Sequence, residues 1–230
     1  IPLFFNWNFV NYQIWDTAGI RKKSKVLDHA EKLSVMSSLN ANEESQIVIL
    51  MIDSERGFEK QDANIANIIE SGGKPFVIAV NKWDLVKNKK EKKKEIEEKI
   101  EEFLPQIGKI SIAYISAQKN QGIEKLIKFS ERLDKICDRR LTTSELNEFL
   151  IQISNRHPHP NKNGRPVKIK YITQPKVRPS HFIIFSNYPN YIKDSYKRYL
   201  INEIRKEFDF DGVPIRMDFR SSDNPYDSKK

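Results

Sequence analysis

Three short polar segments each follow an apolar run directly, and each carries groups suited to gripping a nucleotide. Asp16-Thr17-Ala18-Gly19 comes after Val10–Trp15, which reads as a strand. A carboxylate at that point is a hard oxygen ligand able to hold Mg²⁺ through water, so Asp16 is the candidate metal ligand. Thr17, Ala18 and Gly19 would let a backbone N–H come close to a terminal phosphate. Asn81-Lys82-Trp83-Asp84 comes after Phe76–Val80. The Asp84 carboxylate can accept two N–H bonds from a guanine edge, which adenine does not offer. A pocket built on such bonds rejects the wrong base, because its polar groups would be left buried and unpaired. In this reading Lys82 lies along the base or ribose and Asn81 ties the loop to its neighbours. Ser116-Ala117 ends the run Ile110–Ile115, where a backbone N–H could meet the guanine carbonyl oxygen. Singly these signals say little: D-x-x-G recurs by chance, and an isolated N-K-x-D reads as readily as a solvated Asn–Asp turn. Their weight comes from order, since ligands of an open α/β sheet bind beyond the carboxyl ends of its strands.

The elements needed to place them there are legible. Ile47–Ile52 is a continuous apolar run ending in Asp53, the pattern of a strand buried on both faces. Ala30–Leu39, Lys60–Ser71, Lys89–Leu104 and Ile123–Cys137 have helical spacing, and Gly72-Gly73 closes the second of them. Alternating strands and helices of this length predict a parallel, doubly wound sheet. The lysine-rich run Lys87–Lys94 is expected on a solvated helix face.

The pattern changes after Asp138-Arg139-Arg140. Thr142-x-x-Glu145 has capping-box spacing and starts a helix that turns Leu146, Phe149, Leu150 and Ile153 inward. His157–Pro166 is a proline-rich loop; Val167–Thr173, His181–Ser186 and Val213–Phe219 read as strands, with a helix capped by Asp194 and running through Phe208. The order α-β-β-α-β predicts a second, smaller α+β domain over residues 140–230, after a first over residues 1–139.

Of the residues, 38% are apolar and 31% charged, as in soluble globular chains, and no apolar run is long enough to span a bilayer. A single cysteine, Cys137, excludes an internal disulfide framework and suits a cytoplasmic chain. The opening Ile1–Val10 lacks the basic leader and cleavage site of a signal peptide, and a start at Ile reads as an internal fragment. The net charge of +9 is lopsided: residues 140–230 hold 17 Lys/Arg against 10 Asp/Glu, a net +7. That excess points to a polyanionic partner.

Together, Asp16–Gly19, Asn81–Asp84 and Ser116-Ala117 resemble the third, fourth and fifth signatures of translation-factor-class GTPases. More specifically, DTAGIRKK (Asp16–Lys23), NKWD (Asn81–Asp84), DSYKRYL (Asp194–Leu200), GVPIR (Gly212–Arg216) and NPY (Asn224–Tyr226) resemble the Der (EngA) family. The resemblance runs from about Asn11 to Tyr226. It implies a P-loop-NTPase-type doubly wound G domain lacking its N-terminal part, then a KH-like RNA-binding domain. It implies GTP or GDP and Mg²⁺ as ligands, assembly of the large ribosomal subunit as the task, ribosomal RNA as partner, and a monomer away from membranes.

Only fifteen residues precede Asp16, which leaves no room for a G-x-x-x-x-G-K-[ST] phosphate loop or a switch threonine. The expectation is that these residues alone bind guanine nucleotide poorly and hydrolyse it barely, with no catalytic residue of their own. Ile20 stands where many small GTPases place a water-orienting Gln, so the resemblance implies hydrolysis helped by a monovalent cation or the ribosome. The competing reading is a degenerate G-domain scaffold serving an RNA-binding module. In the tail, Gly164 and Gly212 do not form a G-x-x-G clamp, so RNA contacts are expected to be electrostatic, from Arg165, Lys168, Lys170, Lys176, Arg178, Lys197, Arg198 and Arg205. Tyr171, Tyr196 and Tyr199 could stack on bases, but their spacing favours the core. RNA affinity should fall steeply with added salt, with a log–log slope of about −0.7 per phosphate contacted on single strands. Titration across salt concentrations checks this, and an affinity independent of salt would contradict it.

Overall fold

The structure is a computed structural model that describes residues 2–15, 45–105, 107–159, 161 and 165–221. Asp16–Gly19, Ile20, the helix expected at Ala30–Leu39 and Asn224–Tyr226 lie outside these residues.

Three strands, β3 (Val48–Asp53), β4 (Phe76–Asn81) and β5 (Ile112–Tyr114), form a parallel sheet in that order. Helix α1 (Lys60–Ser71) joins β3 to β4, α2 (Lys89–Phe103) joins β4 to β5, and α3 (Ile123–Cys137) follows β5. Central β4 carries five consecutive buried apolar residues because both of its faces are covered. Phe76, Ile78 and Val80 face a core with Ala66 and Ile69 of α1 and Ile96 and Ile100 of α2. Val77 and Ala79 face the opposite way, toward Leu126 and Leu133 of α3. Helices on both faces make this the expected doubly wound sheet.

Local chemistry sets the helix ends. Glu59 and Asp62 form a reciprocal capping box at the start of α1, and Asn88 accepts from the Glu91 amide at the start of α2. The lysine run lies on the solvated face of α2, where Lys93–Glu97, Lys94–Glu98 and Glu95–Lys99 pair one turn apart. Such exposed pairs contribute only ~0.3–0.5 kcal/mol each.

Strand β3 departs from expectation. Leu50 and Ile52 are buried, but Ile49 and Met51 are 41% and 52% exposed. The uniform apolar run hides the difference, since cover depends on distant chain; among the described residues that second face is only partly covered, with Asn81 Nδ2 donating to Met51 Sδ at 3.7 Å. The opening segment also differs. β1 (Pro2–Trp7) pairs with β2 (Val10–Trp15) in a tight antiparallel hairpin whose turn residues, Asn8 and Phe9, both have positive φ. The Tyr12 hydroxyl donates to Glu131 of α3, setting the hairpin against that helix.

The tail begins with α4 (Thr143–Arg156), held by the expected capping box, in which Thr142 Oγ1 accepts from the Glu145 amide at 3.2 Å and Glu145 accepts from the Thr142 amide at 2.8 Å. Then β6 (Ile169–Lys176) and β7 (Ser180–Ser186) pair antiparallel, α5 (Asp194–Glu207) follows, and β8 (Ile215–Ser221) pairs parallel with β7. Lys193, not Asp194, is the N-cap of α5; Asp194 is its first residue, where a carboxylate favours the helix dipole. The α-β-β-α-β order matches the sequence reading. No helix among the described residues is long and apolar enough to cross a membrane.

Helix α3 belongs to both halves. Leu133, Ile136 and Cys137 lie in one continuous core with Ala79 and Ala113 of the first sheet and with Phe149, Ile172, Phe182, Leu200 and Phe210 of the tail. Polar groups seal the seam. Arg178 grips Asp134 at 2.7 Å and also Asp138, the Leu141 amide donates to Gln174 Oε1 at 2.8 Å, and Arg140 donates to the Gln174 carbonyl at 2.7 Å. Arg205 is buried and donates to the carbonyls of Phe210 and Val213. Arg178 and Arg205 are therefore structural rather than free for RNA. Burial pushes the Cys137 thiol up to about 11, which leaves it inert. Because the core is continuous, Leu133→Ala should cost ~2–5 kcal/mol and lower the unfolding midpoint of both halves together. Thermal unfolding followed at both sheets checks this; loss confined to one half would contradict a shared core.

Candidate functional site

The carboxyl ends of β3, β4 and β5 meet at one rim, and the backbone there is stitched across all three. The Ser54 amide donates to the Asn81 carbonyl at 3.0 Å, and the Trp83 amide to the Ile115 carbonyl at 2.9 Å. Asn81 is the junction. Its Oδ1 accepts from the Lys82 amide at 2.8 Å and from the Ala117 amide at 3.0 Å, joining the loop after β4 to the loop after β5. Asn81 thus ties neighbouring loops as the sequence suggested. Lys82 sits in the left-handed region at φ 60, and its carbonyl accepts from the buried Ser54 hydroxyl at 2.9 Å.

The Lys82 ammonium reaches Asp53 at the end of β3, 2.7 Å away. Partial burial pushes the Asp53 carboxyl up, but the bond from Lys82 and the Glu55 amide outweigh it and leave it below the ordinary carboxylate range. Asp53 raises Lys82 in turn through the same hydrogen bond. In the sequence Asp53 is marked only by its place at the end of an apolar run.

Asp84 follows on a 3-10 turn, Trp83–Leu85, with its side chain only 8% exposed. A hydrogen bond from the Ser116 hydroxyl outweighs the upward pull of burial, and the Lys119 ammonium at 3.3 Å adds to it, so its carboxyl stays below the ordinary range. It is an ionised acceptor in a shielded place. Lys119 was missed, although its position two residues past Ser116-Ala117 was the available clue. Trp83 packs its ring against Tyr114, with centroids 4.3 Å apart, and braces the turn from below.

The loop after β5 is closed by a bridge in which Ser116 and Gln121 exchange amide bonds of 2.9 and 3.0 Å. Gly122 comes next at φ 76, and a Cβ there would collide with the Tyr114 carbonyl oxygen. Only glycine fits between this loop and α3. The sequence leads one to expect an amide of Ser116-Ala117 open to a base. Here the Ser116 amide goes to Gln121 and the Ala117 amide to Asn81, so both first serve to order the loop. The structure thus brings Asn81, Lys82, Trp83, Asp84, Ser116 and Ala117 to one rim. The donor set fits a purine edge: a shielded, ionised carboxylate flanked by a hydroxyl and an ammonium can accept paired N–H groups.

In the tail, Tyr196 is buried, and its hydroxyl donates to the His157 carbonyl at 3.0 Å. Tyr199 is half-buried beside it. Tyr171 does not join the core: it is 39% exposed and stacked on Phe185. Arg165, Lys168, Lys170, Lys176 and Arg198 are exposed, and Lys197 is half-buried.

The family model for the elongation factor Tu GTP binding domain matches residues 35–139, and that for the KH-domain-like C-terminal region of EngA bacterial GTPase enzymes matches residues 140–220. A GTPase Der of Ruegeria pomeroyi is 39% identical over 100% of this chain and 48% of its own length. One of Bartonella bacilliformis is 41% identical over 98% of this chain and 48% of its own. Among solved structures, Era in complex with MgGDPNP and nucleotides 1506–1542 of 16S ribosomal RNA aligns with 96% of this chain and 79% of that one, at 21% identity and a TM-score of 0.44. The chain spans about half the length of the curated relatives it matches. With a G-domain model and the EngA-specific C-terminal model matching side by side, the chain belongs to the Der (EngA) family of GTPases.

Proposed function

We propose that this chain forms the base-selecting part of a guanine-nucleotide site and the RNA-docking tail of a GTP-hydrolysing factor in large ribosomal subunit assembly. The carrying observation is Asp84, ionised, shielded and fixed by Ser116 and Lys119 at the rim that Asn81 organises. A guanine edge presents two N–H groups to that carboxylate, and adenine presents none in the same place. Lys82, set on Asp53, borders the base or ribose. A base carbonyl would take over or share the Ala117 amide.

The domain division is proposed at 1–139 and 140–230, with α3 common to both cores. Asp16 is assigned to a Mg²⁺ ion through water, with Thr17, Ala18, Gly19 and Ile20 near the terminal phosphate, and a monovalent cation is proposed as an aid to hydrolysis. That metal would supply charge neutralisation on the phosphates. Hydrolysis is assigned to the whole protein rather than to these 230 residues alone. The protein is proposed to act as a cytoplasmic monomer, with the basic tail docked on ribosomal RNA.

The test is Asp84→Asn in the full-length protein. An amide at that position cannot accept both guanine N–H groups, so affinity for GDP should fall about a hundredfold while affinity for the xanthosine nucleotide rises. Competition binding with the two nucleotides reads the result directly. Retention of the wild-type preference for guanine would contradict the assignment.

A further inference from the structure

The outer face of the tail sheet carries a feature that internal packing does not use. Side chains alternate along β6, β7 and β8. Ile172, Phe182, Ile184 and Met217 turn to the core at 0–1% exposure. The alternate positions hold Tyr171 on β6, Phe185 on β7, and Arg216, Asp218 and Arg220 on β8. Tyr171 and Phe185 are paired across the strands, and their rings stack nearly parallel, with centroids 4.3 Å apart and planes at 14°. Phe185 is in register with Arg220 on its other side. The result is a row of tyrosine, phenylalanine and arginine at one end of the outer face, beyond the buried Ile183.

Burial does not account for the row. Phe185 takes one face of the Tyr171 ring, yet the residue remains 39% exposed. The core is already closed beneath the sheet. Arg220 is exposed, as are Lys168 just before β6 and Lys170 and Lys176 on it. A protein-docking patch is usually depleted of charge at its centre, whereas aromatic rings between cations suit a single-stranded nucleic acid. Every base has a π-face that can extend an existing stack, and the guanidinium and ammonium groups meet the backbone phosphates. In the adjacent row Asp218 is tied to His181 at 2.7 Å, so its charge is already engaged and the Tyr171–Phe185–Arg220 row remains predominantly cationic.

We propose that the outer face of β6–β7–β8 is a stacking platform for single-stranded RNA, on which an unpaired base continues the Tyr171–Phe185 stack beside Arg220. This rests on the reading of the basic tail as an RNA-binding domain, and it adds a location and a preference for unpaired over duplex RNA.

The experiment measures binding of this chain to a short single-stranded oligouridine and to a blunt RNA duplex, across salt concentrations, for wild type, Tyr171→Phe and Tyr171→Leu. Stacking energies predict that Tyr171→Leu weakens oligouridine binding about tenfold, while Tyr171→Phe binds as wild type. The salt slope should be unchanged in all three, because stacking releases no counterions. Duplex binding should be indifferent to the substitution. Tyr171→Trp provides a second readout, since a base stacked on the new indole should quench its emission. If all variants bind oligouridine alike and the Tyr171→Trp emission is unmoved, the platform is overturned while RNA binding by the tail stands. If wild type binds neither RNA, the tail reading fails and the platform with it.

Discussion

One carboxamide oxygen holds the site together. Asn81 Oδ1 accepts from the amide of its own successor, Lys82, and from Ala117, thirty-six residues on, and so fastens the loop after β4 to the loop after β5. A short side chain with an uncharged, two-lone-pair oxygen does this well: it reaches both amides without importing a charge beside Asp84. The consequences are local and ordered. Lys82 is held in a left-handed conformation that sends its chain back toward Asp53, and Asp84 is placed under the Ser116 hydroxyl. In the proposed site, the choice of base would rest on a carboxylate whose position is inherited from an amide.

The same loop connects outward. The Ser116–Gln121 bridge runs into Gly122, which caps α3, and α3 ends where Arg178 of the tail grips Asp134 and Asp138. One helix therefore starts at the loop after β5 and finishes at the seam with the basic half, with Leu133 and Ile136 in the common core between. The two halves share apolar burial rather than a few surface contacts, which favours a rigid relation between them.

Much of this was legible. The bounds of α1 and α3, the capping box at Thr142 and the doubly buried β4 follow from spacing and polarity close to the residue. The strand-end position of N-K-x-D and Ser-Ala was readable because strands and loops alternate so regularly. What escaped depends on distant chain. Whether Ile49 and Met51 of β3 are covered is not written in that segment, and neither is the service of Arg178 and Arg205 to the internal seam. Asp53 and Lys119 escaped for another reason. They are ordinary charged residues whose meaning comes only from the partner across the rim. Tyr171 reads as a core residue by strand alternation, and only the sheet's sidedness shows it facing outward. The β1–β2 hairpin turn, with Phe9 at positive φ, breaks the residue preferences by which such turns are recognised.

The most direct measurement of the central claim is amide hydrogen exchange at Lys82 and Ala117 in wild type and in Asn81→Ala. If one oxygen holds both loops, the two amides are protected in wild type and both exchange much faster in the variant, while β4 amides such as Ile78 stay slow. Unchanged protection at Ala117 after Asn81→Ala would show that the loops are held by something else, and the account of how Asp84 is positioned would fail.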